Sequence, residues 1–155
     1  MKKKIIKFIE TELKKNASIN NIAVPTIDIV ASSTCDIDID HYHFSIQIPD
    51  EILEDMDATI RLEFLIAKSI RELYQQTHVI DAATDIDACA YASLYVAEKH
   101  NLLYDDATMI VMPERIAYDI IFETNFVDTC KERARFLHEN INFFDGVKTA
   151  LKAVL

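Results

Sequence analysis

The 155-residue chain has one glycine, three prolines, three cysteines and no tryptophan. A single glycine excludes the glycine-rich loops that cradle phosphates, because those turns need positive φ and no Cβ. Cys35, Cys89 and Cys130 lie far apart, are odd in number and form no CxxC pair. That excludes a zinc knuckle, argues against a disulfide framework and points to a reducing compartment. No apolar run approaches the roughly 20 residues of a membrane helix. Lys7, Glu10 and Glu12 interrupt "MKKKIIKFIE" before a signal-peptide core can form. The expected location is the cytoplasm, with no membrane contact.

Half of the residues (50%) are apolar and 27% are charged, the balance of a folded globular chain. The length fits one domain, 1–155, made of a helix plus sheet over 1–50 and a helical part over 51–155. The formal charge is −10, and it is uneven. Residues 1–15 hold six lysines and two glutamates, a net of +4, which leaves −14 on the rest. Such a body disfavours direct nucleic-acid binding and suits a basic protein partner.

Ile5, Ile6, Ile9 and Leu13 recur at helical spacing within residues 2–15. From Thr26 the period changes to two. "TIDIVA", "CDIDID" and "HYHFSIQI" each alternate apolar and polar residues, which predicts three short strands in an antiparallel meander. The apolar parity flips between Ile39 and Tyr42, so a turn or bulge is expected there. "RLEFLIAKSIRELY" follows, a helix apolar over more than half its circumference and therefore central. Further helices are expected from Thr84, from Pro113 at a first turn, over "FVDTCKERARFLHEN" and over "FFDGVKTALKAVL". The fold class is α+β.

Local chemical motifs are sparse. "HYH" sets His41 and His43 two residues apart, which on one strand face could chelate a metal; a half-exposed strand face is the plainer reading. "DIDID" opens like a calcium loop, but His41 stands where that loop needs glycine and Gln47 where it needs glutamate. His138 and Glu139 have no second histidine at metalloprotease spacing, and His78 and His100 are isolated. No G-x-S-x-G occurs, and no cysteine carries a nucleophile signature.

Three longer stretches, taken in order, carry a resemblance. "RLEFLIAKSIRELY" looks like an active-site helix in which His-Glu-x-x-His follows an apolar run and an alanine. "DIDACAYASLY" is similar to a following helix where an acidic residue precedes Ala-Asn-x-Phe-Ala; Asp87, Ala88, Cys89, Tyr91 and Ala92 take those places. "RFLHENINFFDGVKTALK" resembles a tail of helix, turn and final helix containing Ala-Leu. Together they resemble the ImmA/IrrE family of zincin-like metallopeptidases over most of the chain.

The resemblance implies a zincin-like fold and, at the same time, a degenerate site. Lys68 and Glu72 stand where the family has its two zinc-binding histidines, and Ser69 where it has the glutamate that activates water. Asp87 falls on the third ligand. A protonated lysine offers a metal no lone pair, and serine is no general base near neutral pH. The family's Met-Pro is also displaced: "VAEK" continues the second helix, and "VMPE" arrives only at 111–114, which implies an insertion. On the residues alone, Lys68 and Glu72 form an i, i+4 pair. Asp87 either caps its own helix or joins that pair.

The expected function is therefore a non-catalytic pseudo-metallopeptidase that acts by binding a protein, without a cofactor. Active relatives regulate by cleaving repressors, so the resemblance implies a regulatory role and a phage or mobile-element setting. The alternatives are an active metal-dependent peptidase with other ligands, His41 and His43 among them, and an unrelated acidic α+β module that masks a basic partner. Oligomeric state is not legible.

Overall fold

The computed structural model describes residues 3–77 and 84–141. The chain is α+β and divides into two compact units, Met1–Val79 and Ile80–Leu155. The division falls after α2 rather than after residue 50, because the central helix packs on the first helix and the sheet. The last helix expected from the sequence, over "FFDGVKTALKAVL", lies outside the described residues, as does His78.

The first unit comprises α1 (Lys3–Ile19), β1 (Thr26–Ala31), β2 (Asp36–Asp40), β3 (His43–Ile48), a 3-10 turn (Ile52–Glu54) and α2 (Met56–Thr77). Its core has three layers of contributors. Ile5, Ile9 and Leu13 come from α1, Phe44, Ile46 and Ile48 from β3, and Leu62, Ile66, Ile70 and Leu73 from α2. Full burial of each such side chain stabilises by roughly 1.5–3 kcal/mol. The inner residues of β1 and β2, Ile27, Ile29, Ile37 and Ile39, are only half-buried against this cluster.

The sheet order is β1-β3-β2, with β3 antiparallel to β2 and parallel to β1. This corrects the expected antiparallel meander in one of its two pairs. Alternation reports which face of a strand is buried, and either pairing buries the same face. The decisive element is the connection at 32–35, which crosses the end of β3 instead of closing a hairpin. Ser32 donates its N–H to the Ile48 carbonyl at 2.9 Å, and the Thr34 N–H bonds back to Ser32 Oγ at 3.3 Å. The parity flip is realised as expected: Asp40 pairs with His43 around a two-residue turn, and Tyr42 is 40% exposed rather than on the inner face.

The shortage of glycine has a visible consequence. Among the described residues, Asn21, His41, Asn101 and Glu123 take φ between 52° and 54°. Asn21 and Asn101 end α1 and α3, and each is followed by a 6→1 hydrogen bond (Ile22 N–H to Ala17 O, Leu102 N–H to Ala97 O). Asparagine tolerates the left-handed region well; glutamate, which ends α5 at Glu123, is an uncommon choice there.

The second unit comprises α3 (Thr84–His100), α4 (Tyr104–Val111), α5 (Pro113–Phe122) and α6 (Phe126–Ile141). Small residues, among them Ala88, Ala90, Ala92, Ser93 and Ala97, are buried along α3 and let α4 and α6 pack closely. Asp85 and Asp87 in its first turn and Lys99 and His100 in its last complement the helix dipole. α4 is not expected from the sequence and occupies the stretch that reads as an insertion. α5 begins at Pro113 as expected. Among the described residues no helix is long and apolar enough to cross a membrane.

Candidate functional site

On α2 the positions Arg61, Leu65, Lys68, Glu72 and Gln76 recur at spacings of four and three, and form its more exposed stripe. Nearly everything else between Ile60 and Gln75 is buried. Lys68 Nζ lies 3.0 Å from Glu72 Oε1, with the two side chains 26% and 23% exposed. The i, i+4 pair expected from the sequence is therefore formed. Ser69 sits beside this stripe and is buried. The ammonium, the hydroxyl and the carboxylate make a cation-terminated strip, which repels a metal at the Lys68 position.

Asp87 belongs to the other unit, and its carboxylate is completely buried. Arg133 of α6 holds it with two hydrogen bonds, Nε to Oδ1 at 2.7 Å and Nη2 to Oδ2 at 3.3 Å. The guanidinium also lies over the Phe136 ring, 4.9 Å from its centroid. This fork-on-fork geometry is the strong form of a charged hydrogen bond. It ties α3 to α6. The sequence leaves Asp87 a choice between a helix cap and a partner on α2; the geometry supplies Arg133, a partner 46 positions along the chain.

His41 and His43 do not share a strand face. His41 occupies the turn before β3 at φ 52°, and its side chain is 95% exposed, 3.9 Å from Asp40. His43 opens β3. Its Nδ1 is 2.8 Å from Thr26 Oγ1 and its Nε2 is 3.0 Å from Asp28 Oδ2. Both ring nitrogens are thus committed to β1, and the chelating arrangement that "HYH" allows is not made. The carboxylate, imidazole and hydroxyl follow the order of a nucleophilic triad, yet they lie on an open sheet face and pin the parallel β1–β3 pair. Among the described residues no group of three His, Cys, Asp or Glu side chains could hold a metal ion.

The cysteines are free thiols, with Cys89 and Cys130 buried. Burial, and then the charge of Asp36, push the Cys35 thiol up to about 11. Burial, and then the neighbouring Cys89, raise Cys130 further above its ordinary value. A nucleophilic cysteine needs the opposite shift.

Two features are not foreseen from the sequence. The first is a buried polar seam between α1 and α2. Glu12 and Asn16 on α1 and Asn20 just past its end recur every four residues and are all buried; Glu63, Arg71 and Gln75 are buried on α2. Arg71 Nη1 donates to Asn20 Oδ1 at 2.5 Å, and the guanidinium lies 4.6 Å from the Tyr74 ring centroid. The spacing of four from Glu12 through Asn16 to Asn20, and from Arg71 to Gln75, is the available signal. The second is an open groove of about 340 Å³ formed by α4, α5 and the start of α6. Met109, Ile116, Ile120 and Val127 supply its apolar lining, and Asp105, Asp119 and Asp128 its carboxylates. Its signal is "IAYDIIFE", whose apolar residues are too many for one face of a ten-residue helix.

Comparison with protein-family models, curated proteins and solved structures gives no match to this chain.

Proposed function

We propose that this chain is a non-catalytic, cytoplasmic protein on a zincin-like scaffold, that it acts by binding another protein, and that the partner is basic. The observation that carries this reading is the Lys68–Glu72 ion pair with Ser69 beside it. These are the places where the family resemblance puts two metal-binding histidines and a catalytic glutamate. Their replacements neutralise each other along the helix and leave neither a ligand set nor a base. The commitment of Asp87 to Arg133 supports the same reading, since a carboxylate held by a guanidinium is a poor metal ligand. The acidic body favours a basic partner over a nucleic acid. A regulatory role follows from the family resemblance.

The test is to measure zinc before and after restoring the missing groups. Wild-type protein purified without added zinc is expected to hold none in stoichiometric amount. The triple variant Lys68→His, Ser69→Glu, Glu72→His is expected to bind zinc against a chromophoric chelator. Stoichiometric zinc on the wild type would overturn the non-catalytic reading. A folded variant that binds no zinc even when Arg133→Gln loosens the hold on Asp87 would remove the zincin scaffold and leave an unrelated acidic binding module.

A further inference from the structure

α5 is anomalous for a soluble helix. None of its ten residues is buried. Tyr118 is 48% exposed, Ile120 75%, Ile121 70% and Phe122 60%; Met109 of α4, across the groove, is 65% exposed. Scattered apolar side chains need no explanation, but Ile120 and Met109 line one groove, and apolar exposure concentrated there marks an interaction site. Tyr118 and Phe122 already pack on each other, with ring centroids 4.5 Å apart, so the ridge has a fixed shape.

The ridge and groove are held rigidly. Asp119 accepts hydrogen bonds from the Thr124 hydroxyl and from the Val127 N–H at 3.2 Å, which locks the α5–α6 corner. The Thr124 bond, followed by backbone N–H groups of α6, keeps this carboxylate below its ordinary pKa and hence ionised. Arg115 stacks on Phe126, 3.9 Å from the ring centroid, and braces the same corner. The groove is preformed, which lowers the ordering cost of binding.

Its charge selects the occupant. Residues 103–128 carry six carboxylates (Asp105, Asp106, Glu114, Asp119, Glu123 and Asp128) against one basic residue, Arg115. Arg115 lies 3.8 Å from Asp85, and Lys131 of α6 lies 3.5 Å from Asp105, so both nearby cations face carboxylates of this chain. A second copy docking by the same surface would set these carboxylates against themselves, which opposes a symmetric dimer. The groove is open along one side, which suits the insertion of a few side chains better than enclosure of a small molecule.

Resting on the binding function proposed above, we infer that the groove between α4 and α5 is the docking site for a basic amphipathic helix of a partner protein. The partner's apolar stripe lies over Met109, Ile116, Ile120 and Val127, and its flanking lysines and arginines meet Asp128 and compete with Lys131 for Asp105. This is helix-in-groove recognition with an acidic rim.

The experiment is fluorescence anisotropy with a labelled lysine–leucine peptide whose leucines fall on one helical face. A peptide of the same composition in scrambled order, without that face, is the control. The ordered peptide is expected to bind at least about tenfold more tightly than the scrambled one. Ile120→Ser and Met109→Ser change exposed residues, so both variants should keep the wild-type circular dichroism and melting curve. Each should weaken the ordered peptide by about fivefold or more at every salt concentration. Asp128→Asn should weaken it at low salt, with the loss shrinking as salt rises. Equal affinity for the two peptides, or no effect of Ile120→Ser, overturns the inference, as does wild-type self-association that Ile120→Ser abolishes. Adding zinc separates the two proposals. A peptide that binds and is then cleaved refutes the non-catalytic reading and leaves the groove standing. A peptide that is neither bound nor cleaved refutes the groove alone.

Discussion

α2 and α5 belong to different units and invert each other. α2 is charged along much of its length, yet Glu63, Ser69, Arg71 and Gln75 are buried with its isoleucines and leucines. α5 is rich in isoleucine and aromatic residues, yet it buries none of them. An unpaired buried charge is costly, and an uncovered apolar ridge invites aggregation. Each arrangement is tolerable only where something compensates. For α2 the seam with α1 compensates in part: Arg71 bonds Asn20, while both amide atoms of Gln75 stay buried without a hydrogen bond. For α5 the proposed basic partner would supply the cover, and the nearby carboxylates oppose pairing of identical copies. The contrast shows that composition alone misplaces both helices.

Four substitutions break or sharpen this contrast. The largest effect is expected at the second unit's own buried charge. Arg133→Ala leaves the Asp87 carboxylate without its guanidinium and should cost about 3–5 kcal/mol in urea unfolding, because breaking a buried pair strands a charge. A loss below about 1 kcal/mol would mean that other groups hold Asp87 well enough alone. The next effect compares identical chemistry in the two helices. Ile70→Ala on α2, where the side chain is fully buried, should cost roughly 2–5 kcal/mol. Ile121→Ala on α5 should stay within about 0.5 kcal/mol of wild type. Equal losses at the two positions would show that α5 is covered in solution. The smallest effect is expected at Lys68→Gln. Its pair with Glu72 runs along one helix in the weaker lysine-first order, so the loss should be about 0.2–0.5 kcal/mol. A thermal melt that moved far beyond that would give the strip a structural role of its own.

Much of the first unit is legible in the sequence because its pattern is local. A period of two marks all three strands, the parity flip between Ile39 and Tyr42 marks the turn, and in the second unit Pro113 marks the start of α5. The Lys68–Glu72 pair is legible because both partners lie one turn apart on the same helix. What is not legible depends on partners distant in the chain. Alternation cannot say that β3 lies between β1 and β2, and nothing near Asp87 names Arg133. His41 and His43 look alike in sequence, but a two-residue turn separates their roles. α4 is hidden by its length: eight residues leave little room for periodicity, and no side chain caps its start.

The order of the strands in the sheet has a consequence for how the chain is made. β1 and β2 emerge first, and in the finished sheet they do not touch each other as neighbours. All the strand-to-strand hydrogen bonds await β3, which slides between them as the last strand to be synthesised. Until residue 48 has appeared, the growing chain holds two alternating segments with open edges and no partner, and α1 is the only finished element. Both pairs of the sheet therefore depend on one short strand, the parallel one with β1 through a non-local contact.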